Sequence, residues 1–226
     1  SIFEVNRVID HIGIKVNDVT AMGILRAAMA CMKAIGDMWK VSKIESIRQQ
    51  SLTYLGMVME WKKGDILLHQ RTYVKDFLER WGKARSRHTT AEPDSFSKHP
   101  SDSSDGSKSL HQSEMNKVTK QAQSLIGGLL WLSTRTRPDI SYALSSASTY
   151  VSQHPQIALN KAWHIYQYIS TYPYFGIRYI FQPTTTLSVA LDLFTDASFA
   201  PEGGRSQTGT ITFFNNSLVS WNSTRQ

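Results

Sequence analysis

Gln123, Gly127 and Trp131 stand four residues apart on a helical pattern, so they share one face. A flexible amide, a residue with no side chain and a flat indole suit recognition rather than bond breaking. A partner could approach the backbone closely, be hydrogen-bonded and be packed upon. Arg135 and Arg137 follow directly and add positive charge. Two carboxylates stand apart from this group. Asp18 follows Asn17 in what reads as a tight turn, since both residues favour turns. Asp196 ends an alternation of Leu187, Val189, Leu191 and Leu193 that reads as a strand. One aspartate in a turn is ordinarily structural.

The elements that must position these residues follow from hydrophobic spacing. Leu125, Leu129 and Leu132, widened by Ile126, form an apolar stripe beside the Gln123–Gly127–Trp131 face. Pro138 breaks that helix, and Asp139 is placed to cap the next one, where Ile140, Ala143, Leu144, Ala147 and Val151 recur at helical spacing. On periodicity alone this is a helical hairpin with a glycine pair tolerated for packing.

The string SLIGGLLWLSTRTRPDISYALS closely resembles the segment that follows the palm in copia-type retrotransposon reverse transcriptases, and it is similar to the thumb helix of retroviral enzymes. That resemblance implies that Gln123, Gly127 and Trp131 track the minor groove of a template–primer duplex, with Arg135 and Arg137 beside them. Tyr54-Leu55-Gly56 resembles the family's aromatic–aliphatic–glycine hairpin that steadies the primer end. KVNDVTAMG resembles the Tyr-Val-Asp-Asp box followed by an apolar strand, with Asp18 as the surviving carboxylate. Polymerisation needs clustered carboxylates because two divalent ions must bridge the incoming phosphates and the primer oxygen. Here Lys15 stands for the tyrosine and Asn17 for the first aspartate, and the family's third carboxylate is expected upstream of this chain. FTDASFAPEGGRSQTGTITFFNNSLVSWNSTRQ resembles the opening of a copia-type ribonuclease H domain. Asp196 matches its first metal-binding aspartate, Ser198 replaces a second acidic residue, and Gly203-Gly204-Arg205-Ser206 matches the loop before strand two. The other ribonuclease H carboxylates are expected beyond Gln226, leaving incomplete metal sites at Asp18 and Asp196.

Taken in order, Ile12–Val16 reads as a strand. A helix is expected from Val19, with Leu25, Ala28, Met32, Ile35 and Trp39 at three- and four-residue steps. Leu52–Trp61 and Ile66–Gln70 read as a β-hairpin around Lys63-Gly64-Asp65, and Gly56 as a strand glycine that marks a bulge or a close backbone approach. Tyr73, Val74, Phe77, Leu78 and Trp81 predict an amphipathic helix that Gly82 ends. After Pro155, Ala158, Ala162, Ile165, Tyr166 and Ile169 predict another that stops before Pro173, with Gly176 in the turn. Ile177–Phe181 reads as a strand. Residues 91–113, rich in Ser and Asp, read as a flexible linker.

The net charge of +7 is uneven. Residues 62–90 carry 8 basic against 3 acidic residues and 114–182 carry 6 against 2, whereas 91–113 carry 2 against 4. This is the electrostatic footprint expected of a polyanion binder. Cys31, the one cysteine, excludes a disulfide framework and fits a reducing compartment as a small buried hydrophobe. No apolar run reaches membrane-spanning length and no signal-peptide pattern opens the chain.

The expected fold is therefore α+β. It comprises a palm remnant with a β-hairpin and first thumb helix (1–90), the linker (91–113), a helical thumb bundle (114–182) and a partial ribonuclease H-like sheet (183–226). The resemblance implies a fragment of an RNA-directed DNA polymerase and ribonuclease H that uses Mg2+ in the parent enzyme. This chain by itself is expected to be inactive and to hold no tightly bound metal. Its expected partners are an RNA–DNA hybrid or DNA duplex and the rest of the Pol polyprotein. The expected location is cytoplasmic, in a virus-like particle for the parent element, or nuclear. A decayed retroelement copy and a shortened reading of a longer active gene are the alternatives.

Overall fold

The computed structural model describes residues 9–15, 18–23, 25–39, 45–91, 112–180, 190–199 and 205–226. Strands β1 (Ile9–Lys15) and β2 (Asp18–Gly23) pair antiparallel, with Lys15 opposite Asp18. Helix α1 (Leu25–Met38) follows and packs on β2. The helix therefore starts at Leu25 and not at Val19. Val19 and Thr20 are β-branched, and a preceding apolar strand offers them a ladder, so pairing outweighs the helical spacing.

Strands β3 (Leu52–Tyr54), β4 (Met57–Lys62) and β5 (Asp65–His69) form a meander. Leu52–Trp61 is thus two strands rather than one. Leu55 and Gly56 have φ of 53° and 74°, and Lys63 and Gly64 have 54° and 95°. Positive φ at both central residues gives the two-residue turns whose twist matches the flanking strands. Gly56 is a turn glycine, not a bulge. Strand β6 (Ile177–Tyr179) completes the sheet in the order β3-β4-β5-β6, pairing Leu68 with Ile177.

Among the described residues four helices lie between β5 and β6 in sequence. They are α2 (Arg71–Trp81), α3 (Gln112–Ser133), α4 (Ser141–Thr149), entered through a 3-10 turn over Pro138–Ile140, and α5 (Pro155–Thr171). α3 starts two residues inside the span expected to be linker; residues 92–111 of that span lie outside the described residues. The predicted stripes form the core: Leu125, Leu129, Leu132, Ile140, Leu144, Ala158, Ala162, Ile165, Tyr166 and Ile169 are buried, with Val74 and Phe77 from α2. Burying each large aliphatic or aromatic side chain contributes about 1.5–3 kcal/mol. Aromatic edges join the helices, with Phe77–Tyr166 and Trp81–Trp163 ring centres each 5.7 Å apart. α2 lies close enough to α3 that a Cβ on Gly128 would overlap the Phe77 ring.

Strands β7 (Leu191–Ser198), β8 (Gln207–Phe214) and β9 (Ser217–Arg225) form a separate antiparallel sheet in that order. Asn215 and Asn216, with φ of 45° and 61°, make its second hairpin turn. The Trp221 indole N–H donates to the Ser133 carbonyl at 2.8 Å, and β9 packs against α4. Leu187, Val189, Phe181, Gly203 and Gly204 lie outside the described residues. The molecule mixes helices with antiparallel sheets, an α+β fold.

Candidate nucleic-acid interface

Helix α3 has two sides. Leu125, Leu129 and Leu132 face the core, while Gln123 and Gly127 are exposed and Trp131 is half-buried on the outward side. The glycine pair divides by role. Gly128 lets Phe77 approach, whereas a Cβ on Gly127 would meet nothing within 4 Å.

Trp131 is held from two directions. The Leu55-Gly56 turn comes against it, so a Cβ on Gly56 would lie 3.4 Å from indole Cζ2. Over the ring sits Arg135, its guanidinium carbon 4.8 Å from the ring centre, a cation–π arrangement. The chain reverses sharply after α3 to bring Arg135 there: the amides of Thr136 and Arg137 both donate to the Leu132 carbonyl at 3.0 Å. The buried Thr136 hydroxyl donates to Gln70 Oε1 at 2.9 Å and fixes that reversal to the start of α2. Sequence reasoning did not find this latch, because a threonine and a glutamine 66 residues apart carry no local pattern. Tyr54 and Leu55 are half-buried beside the exposed Gly56. The structure therefore brings Gly56, Trp131 and Arg135 together, with Gln123 and Gly127 continuing along the same helix.

Arg137 does not belong to this surface. It is 1% exposed, donates from Nε and Nη2 to the two Asp139 oxygens at 3.0 and 2.8 Å, and donates from Nη1 to the Tyr172 carbonyl at 2.9 Å. Tyr168 and Phe175 flank it. A guanidinium so enclosed and so engaged has nothing to offer a phosphate. Asp139, in turn, is not a helix cap. Its oxygens are taken by Arg137 and by the Tyr168 hydroxyl at 2.9 Å. Burial first, and then the negative charge of Asp139, push that hydroxyl up to about 12. The regional charge count also overstates the free positive charge, since Arg71 pairs with Glu60 and Arg178 with Asp65.

The two candidate catalytic carboxylates lie in different sheets. Asp18 opens β2 opposite Lys15, and Asn17 lies outside the described residues. Asp196 lies within β7, opposite Gly209, and Ser198 is opposite Gln207. Asp196 lines a cavity of about 360 Å³ between the sheet and Pro138–Tyr142, beside Phe194 and Trp221. Among the described residues no group of three or more His, Cys, Asp or Glu could hold a metal ion. A two-metal site needs such a cluster, so the donors described here do not fit a Mg2+ pair. Among the described residues no helix is long and apolar enough to cross a membrane.

Over 175 residues the chain is 28% identical to the "Retrovirus-related Pol polyprotein from transposon RE1" of Arabidopsis thaliana. The match takes in 76% of this chain, which spans 11% of the length of that polyprotein. No family model matches the chain. No solved structure matches it. The similarity supports an origin in a retrotransposon Pol polyprotein.

Proposed function

We propose that the chain is the part of a retrotransposon Pol polyprotein that runs from the end of the reverse-transcriptase palm through the thumb into the start of ribonuclease H. In this reading it binds a nucleic-acid duplex, an RNA–DNA hybrid or DNA, and has no polymerase or ribonuclease activity of its own. The observation that carries the binding is Trp131 set between the Gly56 turn and the Arg135 guanidinium, in line with exposed Gln123 and Gly127. Gln123 donates to groove acceptors, Gly127 admits a sugar edge, the indole packs on it and Arg135 meets a phosphate. Asn17 and Lys15 in the segment that resembles the polymerase carboxylate box favour lost chemistry with retained binding.

The test pairs affinity with stability on the same protein. Trp131→Ala removes contact area and no charge, so hybrid binding weakens while the slope of log affinity against log salt is unchanged. Arg135→Ala instead flattens that slope by about 1. A folded Trp131→Ala protein that binds hybrid as tightly as the parent would remove the groove-tracking role. Template-dependent extension by the parent above an Asp18→Ala control would overturn the inactive reading.

A further inference from the structure

The outward face of α3 does not end at Gln123. Counting back from Trp131 through Gly127 and Ser124, the same face reaches Lys120 and Lys117, since steps of three and four residues keep to one side of a helix. Both lysines are exposed. Among the described residues no carboxylate pairs with Lys117, Lys120 or Arg135, whereas Arg71, Lys75, Arg137 and Arg178 each have one. Between the two cationic ends the face carries no charge. Arg135 brings the second positive group to the Trp131 end by lying over the indole.

We propose that Lys117 and Lys120 form a second phosphate contact at the far end of α3, so that the chain grips a duplex through two separated points and requires a minimum duplex length. The inference rests on the duplex-binding reading above and adds its span. From Lys117 to Trp131 the helix rises about 21 Å at 1.5 Å per residue. In this grip α3 runs along the duplex axis, where about 3.4 Å per base pair makes that distance roughly six base pairs. A shorter duplex reaches one cationic end and leaves the other in water. A flexible single strand does not hold its phosphates at that separation, so the rigid duplex is the ligand the spacing favours.

The experiment measures affinity for DNA hairpins with stems of four and of ten base pairs, and for a ten-nucleotide single strand. The parent should bind the longer stem about tenfold or more tighter than the shorter one at low salt. Lys117→Ala with Lys120→Ala should remove most of that gain and leave four-pair binding within about twofold. On the long stem it should flatten the salt slope by about 2. Lys117→Arg with Lys120→Arg should keep the length dependence, which ties the effect to charge. An alanine double variant that gains as much from the longer stem as the parent overturns the two-point grip while leaving duplex binding standing. Equal binding of the single strand and the ten-pair stem overturns the duplex requirement. If the parent binds neither stem, the duplex reading falls and this inference falls with it.

Discussion

Two arginines two residues apart have opposite roles, and substitution should separate them. Arg137→Ala removes a buried guanidinium that bonds both Asp139 and the Tyr172 carbonyl, and because Asp139 itself reaches water the loss should be about 1.5–3 kcal/mol. Urea unfolding should report that loss. Arg135, which stacks on Trp131 and pairs with no carboxylate among the described residues, should change stability far less and affinity more. Gly56→Ala is a sharper case. Alanine at φ of 74° costs about 1–2 kcal/mol while its methyl would only touch the indole, so strain in the turn that Trp131 rests on should lower stability and hybrid affinity together. Glu60 gives a pH signature. Its Oε1 lies 3.2 Å from His69 Nε2, off the ideal hydrogen-bond line. That polar contact, helped by Arg71 and Lys62, holds the carboxyl below its ordinary value of 4.5 against the opposing effect of burial. A depressed carboxylate contributes stability that is present above 4.5 and lost as pH falls through the lowered value. Parent melting temperature should therefore drop more steeply below pH 4.5 than that of Glu60→Gln. Parallel curves would show that the contact carries nothing.

At the scale of elements, α3 offers a test in adjacent residues. A methyl on Gly127 meets open space, and alanine exceeds glycine in helix propensity by about 1 kcal/mol, so Gly127→Ala should raise stability while weakening duplex binding. Gly128→Ala should lower stability by about 1–3 kcal/mol, because the Phe77 ring must move. If Gly127→Ala binds duplex unchanged, no sugar edge approaches there. The pair was visible in the sequence as a helix tolerance, but periodicity could not say which glycine packs, because that depends on where α2 lies. The same limit explains the other differences. Helices α2, α3 and α5 were legible from apolar spacing because each buries one continuous stripe. The spacing from Val19 predicts a helix because the strand character of Val19–Gly23 comes from a partner, β1, and not from its own pattern. The Leu55-Gly56 turn was hidden inside an apolar run, since leucine rarely takes positive φ. Of the candidate interface, the helical face is legible in the sequence, whereas the Gly56–Trp131 contact joins residues far apart in the chain and carries no local pattern. The resemblance places Arg137 beside Arg135 on the duplex face, whereas its guanidinium is buried on Asp139, a pairing that helical spacing does not announce. The spacing that includes Lys117 and Lys120 was present in the sequence throughout.

At the scale of the whole molecule, β6 decides how many units unfold. It follows α5 in the chain yet pairs with β5, so the sheet carrying the Gly56 turn is closed only after the four helices between them are in place. The junction is tight: a Cβ on Gly176 would run into the Leu68 carbonyl and lie 2.9 Å from His69 Cβ. Gly176→Ala therefore forces β6 away from β5 and should destabilise by about 1–3 kcal/mol, the usual range for overpacking. The informative quantity is where the loss appears. If β6 joins sheet and helices into one cooperative unit, hydrogen exchange should accelerate together in β5 and in the core of α5, and circular dichroism and tryptophan fluorescence should melt coincidently. A sheet that frays first while α5 keeps its protection would show two units that merely touch. Coincidence also bears on the interface, because Trp131 depends on a turn from the sheet and a cation from the helices. In a one-unit molecule Gly176→Ala should weaken hybrid binding only in proportion to the unfolded fraction. Weaker binding at temperatures where the variant is fully folded would instead place the sheet–helix junction within the binding machinery.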